Sequence, residues 1–401
     1  MRRTTLLAAG LALALTAPVA ARGDGAAQAG APAPPPRPRL RELGAQPGIL
    51  PPGPRNAITD VAGVAVGHRT VHQGDGVRTG VTAILPHGGN LFQRKVPAAV
   101  HTANGFGKAA GFLQVAELGT LESPIVLTNT LAVGTAVEAV VDWTLEQPGN
   151  EAVRSVNAVV GETNDGYLND IRSRAVTAAH VREALAAATG GPVTEGSVGA
   201  GTGTMALGWK GGIGTASRRL PASLGGWTVG ALVQTNFGGI LVIDGVPVGE
   251  LLGRFAYREE LAQGAPAAPA AAPGDGSVMV VLATDAPLSA LALERLARRA
   301  VLALGRVGSF MSNGSGDFVI AFSTANPRQH EGGPEVLPLR EVANDALSPI
   351  FLGAVESVEE AIYNSLFAAT PVTGRDGHHG DALPVEAVRQ LLARHHRLPG
   401  N

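Results

Sequence analysis

The chain has 401 residues, no cysteine, 54 glycines, 45% hydrophobic residues and a formal net charge of −2, with an aromatic share of only 4%. That apolar fraction is enough for a large core, which must hold without disulfides. Near-neutral charge and few aromatics exclude a nucleic-acid-binding surface, which would need a basic face and stacking rings.

In chain order, the first segment is "MRRTTLLAAGLALALTAPVAA", with Arg2 and Arg3 ahead of an apolar run from Leu6 to Ala20 and small residues at Val19 and Ala21. The run is too short to span a bilayer and a Pro-rich stretch follows, so residues 1–21 read as a secretory signal cleaved near Ala21. Nothing downstream resembles a membrane span. The mature protein is expected to be soluble and exported, periplasmic or secreted, without a membrane partner. Residues 22–43 are dominated by Ala, Gly and Pro and read as a disordered tether, because they offer too little apolar surface to order themselves. A single domain is expected over 44–401.

Within it, "VAGVAVGHRTVHQGDG" reads as strand and turn, so the i, i+4 spacing of His68 and His72 does not imply a helical metal pair. Short Val/Ile runs bounded by Gly, Asn, Asp or Pro predict strands over 80–86, 123–129, 156–162, 228–236, 277–285 and 317–325. Helical stripes fall on Val133 to Leu145, on Leu288 to Leu304 with Pro287 in the first turn, on Val342 to Phe367 with an interruption near Pro349, and on Pro384 to His395. This mixture points to α/β or α+β with layered sheets. The glycine-rich "NGFGKAAG" and "GSVGAGTGTMALGWKGGIGTA" fit neither a phosphate loop nor a dinucleotide fingerprint and read as turns and close backbone approaches. In "RDGHHGD", adjacent His378 and His379 read as a solvated loop, since neighbours in a loop seldom face one ion. No metal or cofactor is expected.

The stretch "AQGAPAAPAAA" forms an Ala/Pro linker over 262–274, followed by "GDG" and the strand that starts at Ser277. One reading is a spacer leading into an ordinary strand, as in an exported small-molecule binding protein with an interdomain hinge. The other is cleavage between Gly276 and Ser277. Gly276 offers no steric hindrance, and a freed Ser277 would carry an α-amine, pKa roughly 8, beside its own hydroxyl. Further on, Ser315 and Asp317 lie two residues apart on one strand face, where they could orient Ser277 if the two strands were neighbours; "NGSG" read alone is a hairpin turn. Asn236 ends a strand before two glycines, as an oxyanion donor or simply a strand-terminating residue.

Taken together, "ITDVAGVAVGHRT", "TNFGG", "GDGSVMVVLATDAPL", "RLARRA" and "NGSGDFVIAFSTAN" resemble the self-cleaving serine aminopeptidases of the DmpA and BapA type, the L-aminopeptidase/D-esterase and β-peptidyl aminopeptidases. The resemblance runs from about Gly44 to Phe367 in order and spacing. It implies an α+β fold, a four-layer αββα sandwich similar to N-terminal-nucleophile hydrolases. It also implies a precursor that cuts itself at Gly276–Ser277 into a large chain ending at 276 and a small chain over 277–401. Ser277 matches the nucleophile, Ser315 and Asp317 the supporting hydroxyl and acid, and Asn236 the oxyanion donor. Glu162, in "VVGETNDGYLND", matches the acid that holds the substrate's ammonium. Two residues later, where the family is expected to have an aromatic, often Tyr, this chain places Asn164 at the substrate site, with Tyr167 nearby. The implied substrates are small peptides or aminoacyl amides and esters. Hydrolysis and acyl transfer are both open to such an acyl-enzyme, and the implied assembly is a homotetramer of processed protomers.

Overall fold

The structure is a computed structural model that describes residues 37–263, 276–331 and 333–398. The expected signal segment and most of the Ala/Pro linker lie outside the described residues. So does the tether up to residue 36. Its last part, from Arg37, is packed: Arg37 donates to the carbonyls of Phe367 and Leu383, and Leu40 is fully buried. A Leu side chain with a core to enter and an arginine with two carbonyls to cap outweigh the surrounding Pro-rich composition.

Two sheets lie face to face. The smaller has the order β1 (Ala65–Gln73), β2 (Val77–Leu85), β5 (Ile125–Asn129), β6 (Val159–Thr163). The larger runs β13 (Arg328–Gln329), β3 (Arg94–Gly105), β12 (Gly316–Ser323), β11 (Ser277–Thr284), β10 (Thr228–Asn236), β9 (Gly212–Arg219), with β4 (Thr120–Leu121) added to β3. Two short hairpins pair β7 (Met205–Ala206) with β8 (Trp209–Lys210) and β14 (Val372–Thr373) with β15 (His379–Gly380). Helices α2 (Val133–Leu145) and α3 (Ala178–Ala186) cover the small sheet; α6 (Ala290–Arg306) and α7 (Ser348–Ala368) cover the large one. Shorter helices are α1 (Phe112–Leu118), α4 (Val248–Leu251) and α5 (Arg258–Gln263), and α8 (Val385–Arg394) joins the large-sheet core through Val388 and Leu392.

The expected αββα sandwich is therefore present, and alternation along β11 shows why. Met279 and Val281 point between the sheets with Leu127, Val159, Leu232 and Ile320, whereas Val278, Val280 and Leu282 face the layer of Leu293, Leu296, Ile350 and Ile362. A strand covered on both faces reads as an unbroken apolar run, and β11 is buried at every position. Its partners are β10, antiparallel from Asn236↔Ser277 to Val229↔Thr284, and β12, parallel. Residues before and after the linker thus belong to one sheet and one core, which removes the interdomain hinge of the binding-protein reading.

Helix starts differ from the sequence expectation. α6 begins after Pro287, with Ser289 as N-cap accepting from the Ala292 N–H. The expected helix over 342–367 starts at Ser348, and Pro349 opens it instead of interrupting it, since a first-turn proline sacrifices no intrahelical hydrogen bond. Strands β3 and β9 went unpredicted. In β9, a Cβ on Gly214 would lie 1.9 Å from the Ala361 carbonyl of α7, so glycine there lets the helix settle on the sheet.

Candidate active site

Ser277 is the first residue of β11, and β12 begins alongside it at Gly316. The parallel register pairs Val278 with Asp317, which brings the two strand starts together. "NGSG" is accordingly a turn into a central strand, with β12 flanked by β11 and β3, and not a hairpin between neighbours in sequence. The Gly316 N–H donates to Ser277 Oγ at 3.2 Å, and Ser315 Oγ donates to Asp317 Oδ1 at 2.5 Å. All three side chains are buried. Burial pushes the Asp317 carboxyl up to about 6, against the Ser315 hydroxyl and the Val278 N–H, which favour the ionised form. Asp317 Oδ2 is buried without a hydrogen-bond partner among the described residues.

Asn236 closes β10 directly across the ladder from Ser277. Its Oδ1 accepts the Met205 N–H at 3.0 Å, and its Nδ2 donates to the Asn164 carbonyl at 2.9 Å. A carboxamide nitrogen has two hydrogens, so one remains for another acceptor. Gly276 is confined as well as permissive: a Cβ there would sit 1.8 Å from the Asn236 carbonyl oxygen and 2.7 Å from Phe237 Cα. No side chain fits immediately before Ser277.

Glu162 lies on β6 in the other sheet, 2% exposed. Its Oε1 accepts the Lys108 N–H at 3.0 Å, and Oε2 accepts a very short hydrogen bond from Thr130 Oγ1. The loop carrying Lys108 connects the two halves of the site. A Cβ on Gly107 would stand 3.2 Å from Glu162 Oε1, and one on Gly316 would stand 3.1 Å from Gly107 Cα. Phe106 donates its N–H to the Ser315 carbonyl, and Asn104 Nδ2 donates to the same oxygen at 2.6 Å. Asn104 and Thr130 escaped the sequence reading. Their neighbours in sequence are ordinary strand ends, and only the folded chain sets them against residues far away.

Asn164 contributes through its backbone. Its side chain is exposed and accepts the Gly166 N–H, closing a local turn, while its carbonyl anchors Asn236. Tyr167 does not fill the missing aromatic place; it is 48% exposed and stacks on His378 at 4.6 Å. His378 Nδ1 meets the Tyr167 carbonyl and His379 Nδ1 meets Thr373 Oγ1, so the adjacent histidines turn to different partners.

The arrangement offers a buried hydroxyl, a second hydroxyl tied to a carboxyl, an amide with a spare hydrogen, and a separate carboxylate. Among the described residues, Ser277 Oγ accepts its hydrogen bond from a backbone N–H, that of Gly316.

A sequence model described as peptidase family S58 matches residues 56–380. The chain is 43% identical over 361 residues to the β-peptidyl aminopeptidase BapA of Sphingosinicella microcystinivorans, covering 86% of this chain and 90% of that one. Among solved structures, a β-aminopeptidase of a Burkholderia species aligns with TM-score 0.80 at 42% identity, covering 90% of this chain and 99% of that one. The L-aminopeptidase D-Ala-esterase/amidase of Ochrobactrum anthropi aligns with TM-score 0.81 at 40% identity, over 90% of this chain and all of that one. That protein is described as a prototype of the serine aminopeptidases and a variant of the Ntn-hydrolase fold.

Proposed function

The chain belongs to peptidase family S58 and is a serine aminopeptidase with an Ntn-hydrolase fold, and on that premise we propose that Ser277 becomes both nucleophile and base when the chain cuts itself at Gly276–Ser277. The observation that carries this reading is the position of Ser277 at a strand start, with its hydroxyl on the Gly316 N–H and the buried Ser315–Asp317 pair at the start of the neighbouring strand. In maturation, Ser277 Oγ attacks the Gly276 carbonyl carbon. The C–N bond breaks as the hydroxyl's proton passes to the Ser277 nitrogen, leaving Gly276 as an ester on Ser277 Oγ. Water then releases a Gly276 carboxylate and a free Ser277 α-amine.

An α-amine titrates at roughly 8, close enough to neutrality to accept its own residue's hydroxyl proton. In turnover the hydroxyl adds to the substrate carbonyl and the protonated amine then gives its proton to the leaving amine. The spare Nδ2 hydrogen of Asn236 donates to the developing oxyanion, an interaction of about 3 kcal/mol in comparable sites. Asp317 and Ser315 orient the new terminus, and the unpartnered Asp317 Oδ2 suits an ammonium. Glu162 receives the substrate's own ammonium, which limits release to N-terminal residues.

The substrates in this reading are short peptides and aminoacyl amides or esters, and the acyl-enzyme also passes its acyl group to an added amine. A panel of L-, D- and β-aminoacyl p-nitroanilides ranks the side chains accepted. Export after removal of residues 1–21, and a homotetramer of processed protomers, are part of the same proposal.

Two variants test it together. Ser277→Ala should remain one chain on a denaturing gel and lose turnover by on the order of 10⁴-fold or more, as expected for a missing nucleophile. Glu162→Gln should still split into two chains, because maturation needs no substrate ammonium, while kcat/KM falls roughly 10- to 100-fold, the worth of a charge-assisted contact. Full activity in Ser277→Ala would overturn the reading.

A further inference from the structure

Lys210 on β8 is fully buried, and its Nζ donates to the carbonyls of Gly201 at 2.8 Å and Gly211 at 2.7 Å. These bonds draw together the two ends of the tight hairpin between them. Gly211 N–H to Thr204 carbonyl and Thr204 Oγ1 to Gly201 carbonyl, both at 3.1 Å, complete the knot. The ladder partner of Lys210 is Met205, and Met205 N–H is the donor that holds Asn236 Oδ1.

Asp165 closes the other side. It follows Asn164, whose carbonyl takes the Asn236 Nδ2 hydrogen. Asp165 Oδ1 accepts from Asn169 Nδ2 at 2.9 Å, and its own carbonyl accepts the N–H groups of Leu168 and Asn169. Hairpin and turn abut, since a Cβ on Gly203 would lie 3.1 Å from Asp165 Cβ.

The orientation of Asn236 matters because a flipped amide would point an acceptor at a developing oxyanion. Only Oδ1 can accept from Met205 N–H and only Nδ2 can donate to Asn164, so these two bonds together fix the useful rotamer. We propose that Lys210 and Asp165 are positioning residues for the reaction: each rigidifies one of the two backbone segments that hold the Asn236 amide with a hydrogen free for the oxyanion. The inference rests on the reading of Asn236 as the oxyanion donor. Both groups are costly to bury, which favours a task beyond packing. Burial draws Lys210 down to about 7 and lifts Asp165 to about 7, with the Thr79 and Asn169 hydrogen bonds and the charge of Lys210 opposing the latter.

A double-mutant cycle against Asn236→Ala tests this, read as kcat and KM for an aminoacyl p-nitroanilide and as the rate at which the small chain appears. Lys210→Met should lower kcat and the cleavage rate roughly tenfold or more with KM changed less than about twofold, and should cost less than about twofold further in the Asn236→Ala background. An unchanged kcat in Lys210→Met, or the same fold-loss in both backgrounds, overturns the proposal, because a merely structural role would be additive. Should Lys210→Met yield no folded protein, the volume-conserving Asp165→Asn passes through the same cycle and decides by the same criteria. If Asn236→Ala alone retains full kcat, the oxyanion reading has failed and the inference falls with it. If it loses kcat while Lys210→Met and Asp165→Asn do not, only the inference fails.

Discussion

Asp317 is buried, receives one hydroxyl, and keeps a second oxygen without a partner. Its pKa is raised from 3.8 to about 6, so the folded chain binds this proton more tightly than the unfolded one. The associated stability is fully present below the unfolded value and is lost as pH rises through about 6. In a Ser277→Ala background, which keeps the chain uncut, Asp317→Asn should therefore raise Tm at about pH 7.5, and the gain should vanish as pH falls towards about 4. Thermal melts across that range check this; a gain independent of pH would mean that the carboxyl's charge is not what burial penalises. In the Ser277 background the same substitution should lower kcat of the cut enzyme, because the new terminus loses the carboxyl proposed to orient it. Ser277, Ser315, Asp317 and Asn236 could be singled out in the sequence because they stand at the ends of apolar runs, and the fold brings those strand ends side by side; the roles expected of them came from the family resemblance. Lys210 and Thr130 were not. A lysine in a glycine-rich run and a threonine after a strand acquire meaning only when segments distant in sequence close on them.

The strands that delimit the site were legible for the same reason that they are central: β10, β11 and β12 are buried at every position and show as Val/Ile runs. β3 contains Pro97 and has charged residues at its start, and β9 carries three polar or charged residues at its end. Neither has the pattern of a core strand, and tertiary packing overrides their local preference. The role of Gly214 gives this an experimental edge. A methyl group there meets the Ala361 carbonyl at 1.9 Å and the Ser365 nitrogen at 2.7 Å, both on α7, so strand or helix must give way. Gly214→Ala should destabilise the fold by about 1–3 kcal/mol or more, the usual cost of overpacking. Denaturant unfolding measures it, and wild-type stability would show that α7 is not seated on β9 as described.

At the scale of the molecule, the position of the proposed cut explains how a broken chain can remain one protein. The small chain would contribute β11 and β12 to the middle of the large sheet, hydrogen-bonded to β10 on one side and β3 on the other, with α6 and α7 covering them. Cleavage at Gly276–Ser277 cuts one peptide bond and leaves these ladders and the core between the sheets in place. Severed and intact forms should therefore differ little in compactness while differing wholly in activity, because only the severed form has an amine on its nucleophilic residue. N-terminal sequencing of the purified active enzyme examines that claim most directly. Two termini are predicted, the shorter chain beginning Ser-Val-Met-Val; an active enzyme in which Gly276 is still bonded to Ser277 would contradict the account.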